Sequence, residues 1–169
     1  MYSSPLAALC PALAPADQGP GPYLRPRSRA GRDGAGLALS LSLTLPGSPR
    51  SAVIGRTAVG AALEAHGLAP YVWPATHAVS ELLAVSARMT PGRELYVSLR
   101  RRDDAVRLLV WDQHPHHAEP DTAALCEVRR RRALWMLAAV VDDWGGEWGT
   151  CEAPQRERLG NKSWVVLPR

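Results

Sequence analysis

The sequence predicts an α/β fold, a two-layer sandwich in which about three helices cover one face of a mostly antiparallel, mixed sheet. Two observations favour this class. Five segments have the pattern of strands and three that of amphipathic helices, and most of the strands are neighbours along the chain. Strands joined by short connections pair antiparallel, and a helix with one apolar stripe needs a second layer to bury it.

The first 36 residues form a separate region. They are rich in Pro, Ala, Gly, Ser and Arg and show no hydrophobic periodicity. Such a composition buries too little apolar surface to offset the entropy lost on ordering. We therefore expect residues 1–36 to be a disordered, low-complexity extension and residues 37–169 to be the folded domain.

The folded part is predicted to begin with a strand and a helix. Leucines alternate with small residues from Leu37 to Leu45, which is typical of a half-buried strand, and Pro46-Gly47 ends it. Ser48 is expected to cap a helix that has Pro49 at its first position. That helix runs to His66, and Gly67 closes it.

The middle of the chain predicts a helix followed by a hairpin. The helix spans Val72–Met89, and its buried stripe consists of Val72, Thr76, Val79 and Leu83. Two strands follow, Glu94–Arg101 and Ala105–Asp112, with a tight turn between them.

The last third predicts one helix and two strands. The helix begins at Asp121 or Thr122 and ends near Trp144-Gly145-Gly146. Its apolar stripe consists of Leu134, Leu137, Ala138 and Val141. The strands are Glu147–Glu152 and Ser163–Leu167, around a turn at Pro154–Gly160.

The charge balance gives little support for a nucleic-acid partner. The net charge is +4 and the pI about 9.3, but Lys162 is the only lysine, which indicates a GC-rich coding bias rather than a binding surface. The densest basic segment is Arg129–Arg132. It is either a solvated helix face or a site for an anionic partner, and a nucleic-acid binder normally adds a recognition motif to such a patch.

Several other classes are set aside. The three cysteines are odd in number and lack CxxC spacing, so we expect a reducing compartment and no zinc framework. No apolar run approaches the roughly 18 residues of a membrane helix. The first residues lack the pattern of a signal peptide. We therefore expect a cytoplasmic protein without membrane contact.

The segment "VWDQHPHH" raises the question of a metal site. His114, His116 and His117 could bind a divalent metal with Asp112 as an oxygen donor. Histidines in a loop beside proline are more often solvated, and no second ligand cluster is visible in the sequence. We therefore expect no metal. A Ser/His/Asp hydrolase is also disfavoured, because the chain has no GxSxG motif.

The ordered region resembles a known family. "SELL" in a helix, "VWD" at a strand end, "LAAVVDDWG" in a helix and "GNKSWVVLP" near the C-terminus occur in this order. Over residues 38–168 the chain is similar to the ATP-binding domain of the gyrase, histidine-kinase and MutL-type ATPases, the GHKL superfamily. It most resembles the stand-alone anti-sigma-factor serine kinases of GC-rich bacteria.

The resemblance implies roles for the second helix. Its Glu81 matches the family glutamate that positions or deprotonates the attacking nucleophile. Val85 occupies the position of the asparagine that holds magnesium, and a valine offers no oxygen to a hard cation. Helical spacing places Glu81, Val85 and Arg88 on one face, nearly opposite the predicted apolar stripe.

The resemblance also implies a nucleotide site. Asp112 matches the carboxylate that accepts from the adenine amino group. Arg131-Arg132-Ala133-Leu134 align with the glycine-rich phosphate loop, but both glycines are replaced. Losing these glycines and the magnesium ligand should slow phosphotransfer on the order of 10³-fold or more.

The expected function is therefore an ATP-binding regulator with a degenerate phosphate and magnesium site. It would act by binding a sigma factor or an anti-sigma-factor antagonist, and this branch of the family commonly forms homodimers. Two alternatives stay open. One is an active serine kinase or ATPase in which Arg129–Arg132 replace the glycine loop. The other is an interaction module that uses no nucleotide.

Overall fold

A computed structural model describes residues 38–153 and 159–169. The predicted extension, residues 1–36, and most of the predicted turn at Pro154–Gly160 lie outside the described residues. The elements, in chain order, are β1 (Ser40–Pro46), α1 (Arg50–Ala65), a 3₁₀ turn (Ala69–Tyr71), α2 (Val72–Met89), β2 (Glu94–Arg102), β3 (Ala105–Asp112), α3 (Pro120–Ala133), α4 (Trp135–Asp143), β4 (Glu147–Glu152) and β5 (Asn161–Leu167).

The strands form one open sheet in the order β1-β2-β3-β5-β4. Every pair of neighbouring strands is antiparallel, so the predicted α/β sandwich is confirmed, and the described sheet contains no parallel pair. The predicted β2–β3 hairpin is present. Its two turn residues, Asp103 and Asp104, have φ angles of 51° and 57°, as expected for the two-residue turn that matches strand twist.

Strand register fixes which side chains face the helices. Leu43 lies opposite Val97, and Val97 lies opposite Val110, so this row crosses three strands on the core side. In β1 the leucines therefore face the core, and the serines and the threonine between them face the other side of the sheet. By the same two-residue period, Asp112 at the end of β3 also faces the helix layer.

Helix α2 is the central helix of the second layer, and it packs against α1, the sheet and α4. Its buried residues cover well over half of its circumference, from Pro74 to Ala87. Val79 and Leu83 are buried as predicted, but Val85 is only 2% exposed and belongs to the same core. The sequence predicted that Val85 lies with Glu81 on a face opposite the apolar stripe. This is wrong for Val85, because α1, the sheet and α4 together surround most of the helix.

The predicted third helix is two helices. Leu134 separates them with ψ near 18°, and its N–H bonds to the carbonyl of Arg131, three residues back. Leu134, Leu137 and Val141 are fully buried, as the apolar stripe predicted. A break of this kind leaves the spacing of the stripe unchanged, so the sequence pattern did not reveal it.

The helix start at Ser48 also differs from the prediction. Pro49 is the N-cap of α1, and no side chain caps the helix. Ser51 instead donates its hydroxyl hydrogen to the carbonyl of Pro46, which ties the first turn of α1 to the end of β1. Of the described helices, none combines the length and the apolar character needed to cross a membrane.

Candidate functional site at the end of strand β3

The carboxylate of Asp112 lies at the end of β3 and is completely buried. Arg130 of α3, 1% exposed, approaches it with both terminal nitrogens. Nη1 donates to Oδ2 at 2.6 Å and Nη2 to Oδ1 at 3.1 Å. A buried charge needs a partner of opposite sign with good geometry, and a guanidinium supplies two parallel hydrogen bonds. This pair joins α3 to the sheet.

A third donor completes the environment of Asp112. The backbone N–H of His114 donates to Oδ1 at 3.1 Å, so the loop after β3 turns back over the carboxylate. An ionised carboxylate has about four acceptor positions, of which three are now used. With no solvent exposure, Asp112 can meet a ligand amino group only if Arg130 or the loop moves.

The residues predicted on α2 form no hydrogen bond or ion pair with Asp112, whose described partners are Arg130 and the His114 N–H. Glu81 is partly exposed and forms no hydrogen bond or ion pair with another described residue. Val85 lies in the core, and Arg88 is exposed near the C-terminal end of α2. The structure therefore leaves Glu81 accessible, but it places no polar group at position 85.

The segment predicted to receive phosphates is helical. The last turn of α3 consists of Arg131, Arg132 and Ala133. Their backbone N–H groups donate to carbonyls one turn earlier in the helix and are not free to bind a phosphate. Leu134 is buried in the core. Arg131 stacks over the ring of Trp148 at 5.1 Å. No open loop is formed here to surround a phosphate.

Arg129–Arg132 are consequently not one surface. Arg130 is buried against Asp112 and Arg131 contacts Trp148, whereas Arg129 and Arg132 remain exposed. Of the two interpretations of this segment, a solvated face applies to Arg129 and Arg132 only. The most buried member of the group, Arg130, is an internal ion-pair partner.

Three side chains converge beside this ion pair. His114 Nε2 lies 3.0 Å from His117 Nε2 and 2.9 Å from the sulfur of Cys126 on α3. One ligand atom from each residue lies within 4.8 Å of the other two. Among the described residues, this is the group of His, Cys, Asp and Glu side chains with the geometry to hold a metal ion.

His116 points away from this group. Its Nδ1 lies 2.8 Å from a carboxylate oxygen of Glu152 on β4, and both side chains are largely exposed. The metal set that the sequence analysis considered and set aside, three histidines with Asp112, is not assembled: Asp112 binds Arg130 and His116 pairs with Glu152. Cys126, which the sequence analysis did not consider as a ligand, instead joins His114 and His117.

Two of the three converging groups have pKa values shifted toward their neutral forms. Burial, and then the charge of Arg130, lower the pKa of His114. Burial raises the pKa of the Cys126 thiol. A nucleophilic cysteine requires the reverse, a lowered thiol pKa beside a protonated imidazole. The Cys126–His114 contact is therefore a hydrogen bond between two neutral groups and not an activated nucleophile.

The cavity beside the loop is too small for a nucleotide. It has a volume of about 20 Å³ and is bordered by the loop at His114, by Glu152 and by Asn161. A volume of this size admits about one water molecule, whereas sites for small molecules usually measure several hundred Å³.

The sequence analysis considered Arg130 only as a phosphate ligand within Arg129–Arg132, and it missed both the pairing of Arg130 with Asp112 and the position of Cys126. Arg130 and Cys126 are four apart, and so lie on one face of α3. A buried aspartate at a strand end also demands a nearby cation, which was a usable signal. No protein-family model matches this chain, and no curated protein matches it in sequence.

Proposed function

We propose that this chain is a regulatory domain of the anti-sigma-factor-kinase type that acts by binding a protein and has lost efficient phosphotransfer. The observation that carries the proposal is the bidentate Arg130–Asp112 pair, because it occupies the carboxylate that would read adenine. The helical segment before Leu134 and the buried Val85 support the same conclusion for the phosphate and magnesium positions.

A surface suited to a protein partner supports the second half of the proposal. Leu125 and Val128 of α3 are 71% and 54% exposed and border a shallow groove of about 440 Å³. Trp135 and Met136, at the start of α4, are also exposed. Exposed apolar side chains, above all those that line a groove, commonly mark interaction sites. The proposed partners are a sigma factor or an anti-sigma-factor antagonist, and the proposed compartment is the cytoplasm.

Calorimetric titration with ATP and ADP, with and without magnesium, tests the nucleotide part. We expect weak or unmeasurable binding, with no gain from magnesium because Val85 supplies no ligand. An Arg130→Gln variant that keeps its circular dichroism spectrum should bind adenine nucleotides more tightly than the natural protein, because Asp112 loses its bidentate partner.

Phosphorylation of a partner serine at ordinary kinase rates, about 1–100 s⁻¹, would overturn the proposal. The matched control is Glu81→Ala, since turnover at this site must collapse in that variant. Clear nucleotide binding without turnover would support an ATP-binding regulator. A complete absence of binding, in the natural protein and in Arg130→Gln, would favour the nucleotide-independent module.

The protein-binding part is tested with purified sigma factors and antagonists from the same genome. Leu125→Asp and Trp135→Asp should each weaken the complex by more than about tenfold if the exposed surface of α3 and α4 is the contact. Val53→Asp, on the exposed face of α1, is the matched control and should leave the affinity unchanged. Equal affinity in all three variants would exclude this surface.

A further inference from the structure

We infer that His114, His117 and Cys126 form a binding site for a divalent, thiolate-accepting metal ion, for which Zn²⁺ is the best match. The three residues come from the loop after β3 and from α3, and their ligand atoms lie within 4.8 Å of one another. This inference does not depend on the proposed function.

The hydrogen-bonding inventory of the cluster favours a cation. Both Cys126 Sγ and His117 Nε2 lie within 3.0 Å of the same atom, His114 Nε2. In a neutral imidazole that nitrogen has either one lone pair or one hydrogen, so it cannot make two full hydrogen bonds at once. A metal ion between the three atoms accepts one lone pair from each and removes the conflict.

The donor set selects the class of metal. Two imidazoles and one thiolate are borderline-to-soft ligands, which suit Zn²⁺ and discriminate against Mg²⁺ and Ca²⁺. Metal–nitrogen bonds of about 2.0–2.1 Å and a metal–sulfur bond of about 2.3 Å place ligand atoms about 3.3–3.6 Å apart in a tetrahedral site. The two short contacts would therefore open by about half an ångström.

The charge at the site is compatible with a divalent ion. Arg130 lies nearby, but its charge is partly offset by Asp112 at hydrogen-bond distance. Cys126 becomes a thiolate on binding, and its proton passes to the solvent.

The fourth coordination position would be open. His114, His117 and Cys126 are all partly exposed, and the carboxylate of Asp112 is already held by Arg130 and by the His114 N–H. Three protein ligands with one exchangeable position are typical of sites that bind a water molecule or an external ligand. The site thus differs from a closed structural zinc site.

The experiment is a titration of the untagged, full-length protein with Zn²⁺ in competition with a chromophoric chelator. We expect one Zn²⁺ per chain. Cys126→Ser and His117→Ala should each lower the affinity by more than about a hundredfold, since substitutions even beyond the ligands cost 10–100-fold. His116→Ala, in the same loop but paired with Glu152, is the matched control and should bind as the natural protein does.

Co²⁺ supplies an independent readout of the thiolate. The natural protein and His116→Ala should show a sulfur-to-cobalt charge-transfer absorption, and Cys126→Ser should lack it while retaining the same circular dichroism spectrum. Zinc binding that is absent from the natural protein, or equally strong in Cys126→Ser, would overturn the inference. Loss of binding in His116→Ala with retention in His117→Ala would also contradict it.

Discussion

At the scale of single residues, the Asp112–Arg130 pair is the dominant electrostatic feature of the described chain. Each member is almost completely buried, so each needs the other to avoid an uncompensated charge in the interior. Such a pair adds little net stability compared with apolar residues of the same size, but breaking it by removing one partner is costly. It therefore specifies how α3 attaches to the sheet.

Replacing one partner should cost much more stability than replacing both. Arg130→Met is expected to lower the free energy of unfolding by about 3–5 kcal/mol, because Asp112 is left buried and unpaired. The double variant Arg130→Met with Asp112→Leu should recover most of the loss. Urea unfolding curves measure both. Arg132→Met, an exposed neighbour, is the control and should change stability by less than about 0.5 kcal/mol; a similar small loss in Arg130→Met would refute the role of the pair.

Lys162 is a second buried charge, on β5 and 4% exposed. Burial lowers its pKa below the ordinary 10.5. The unfolded chain therefore binds more protons between the two pKa values, and stability rises as pH rises through that window. The free energy of unfolding of the natural protein, relative to that of Lys162→Met, should therefore rise as the pH is raised from 7 toward 10. A difference that stays constant with pH in urea unfolding would contradict this.

At the scale of elements, the close contact of α1 with α2 depends on a glycine. A Cβ at Gly55 would overlap Cδ1 of Leu83, a completely buried side chain. Gly60, five residues later on the same helix, faces Thr76 Cγ2, which would lie 3.4 Å from its added Cβ. The two glycines thus have different functions in one helix.

Substituting Gly55 and Gly60 separately gives a matched experiment. Gly55→Ala should lower the free energy of unfolding by about 1–3 kcal/mol through overpacking. Gly60→Ala should be neutral or raise it by up to about 1 kcal/mol, because alanine is the better helix former. Thermal or chemical unfolding of the two variants decides the matter. Equal effects of the same sign would mean that α1 does not approach α2 at Gly55 as closely as described.

At the scale of the whole molecule, α3 is the least anchored helix. Arg130 is its one buried residue among those described, and Leu125 and Val128 face solvent. The ion pair with Asp112, the stacking of Arg131 on Trp148 and the His114–His117–Cys126 cluster are the contacts that hold it against the sheet and the loop after β3. Elements with few buried contacts open at lower free energy than the core.

Hydrogen exchange should show that α3 opens more readily than the core helices. We expect amides of α3 to exchange faster than those of α2, and faster still in Arg130→Met, because its ion pair with the sheet is lost. Zn²⁺ should slow exchange in α3 specifically, because the metal would join α3 to the loop after β3. In Cys126→Ser the ion should have no such effect. Uniform protection across all helices would contradict a locally anchored α3.

What the sequence determined by itself is the layout of the elements. Alternating leucines set β1, helical spacing and Pro91-Gly92 bounded α2, and the two aspartates between β2 and β3 set their turn; these are local properties of the chain. Asp112 at the end of β3 was also located from its position after an apolar run.

Only the tertiary structure decided what surrounds Asp112. Arg130 lies 18 residues away along the chain, and Cys126 lies 12 residues from His114. Whether they meet depends on the angle at which α3 returns to the sheet, and the break at Leu134 helps to set that angle without changing the apolar spacing. The same applies to Val85, which a helical wheel placed on an open face. Local periodicity fixes which residues share a face, but the number of elements packed around a helix decides how much of it is buried.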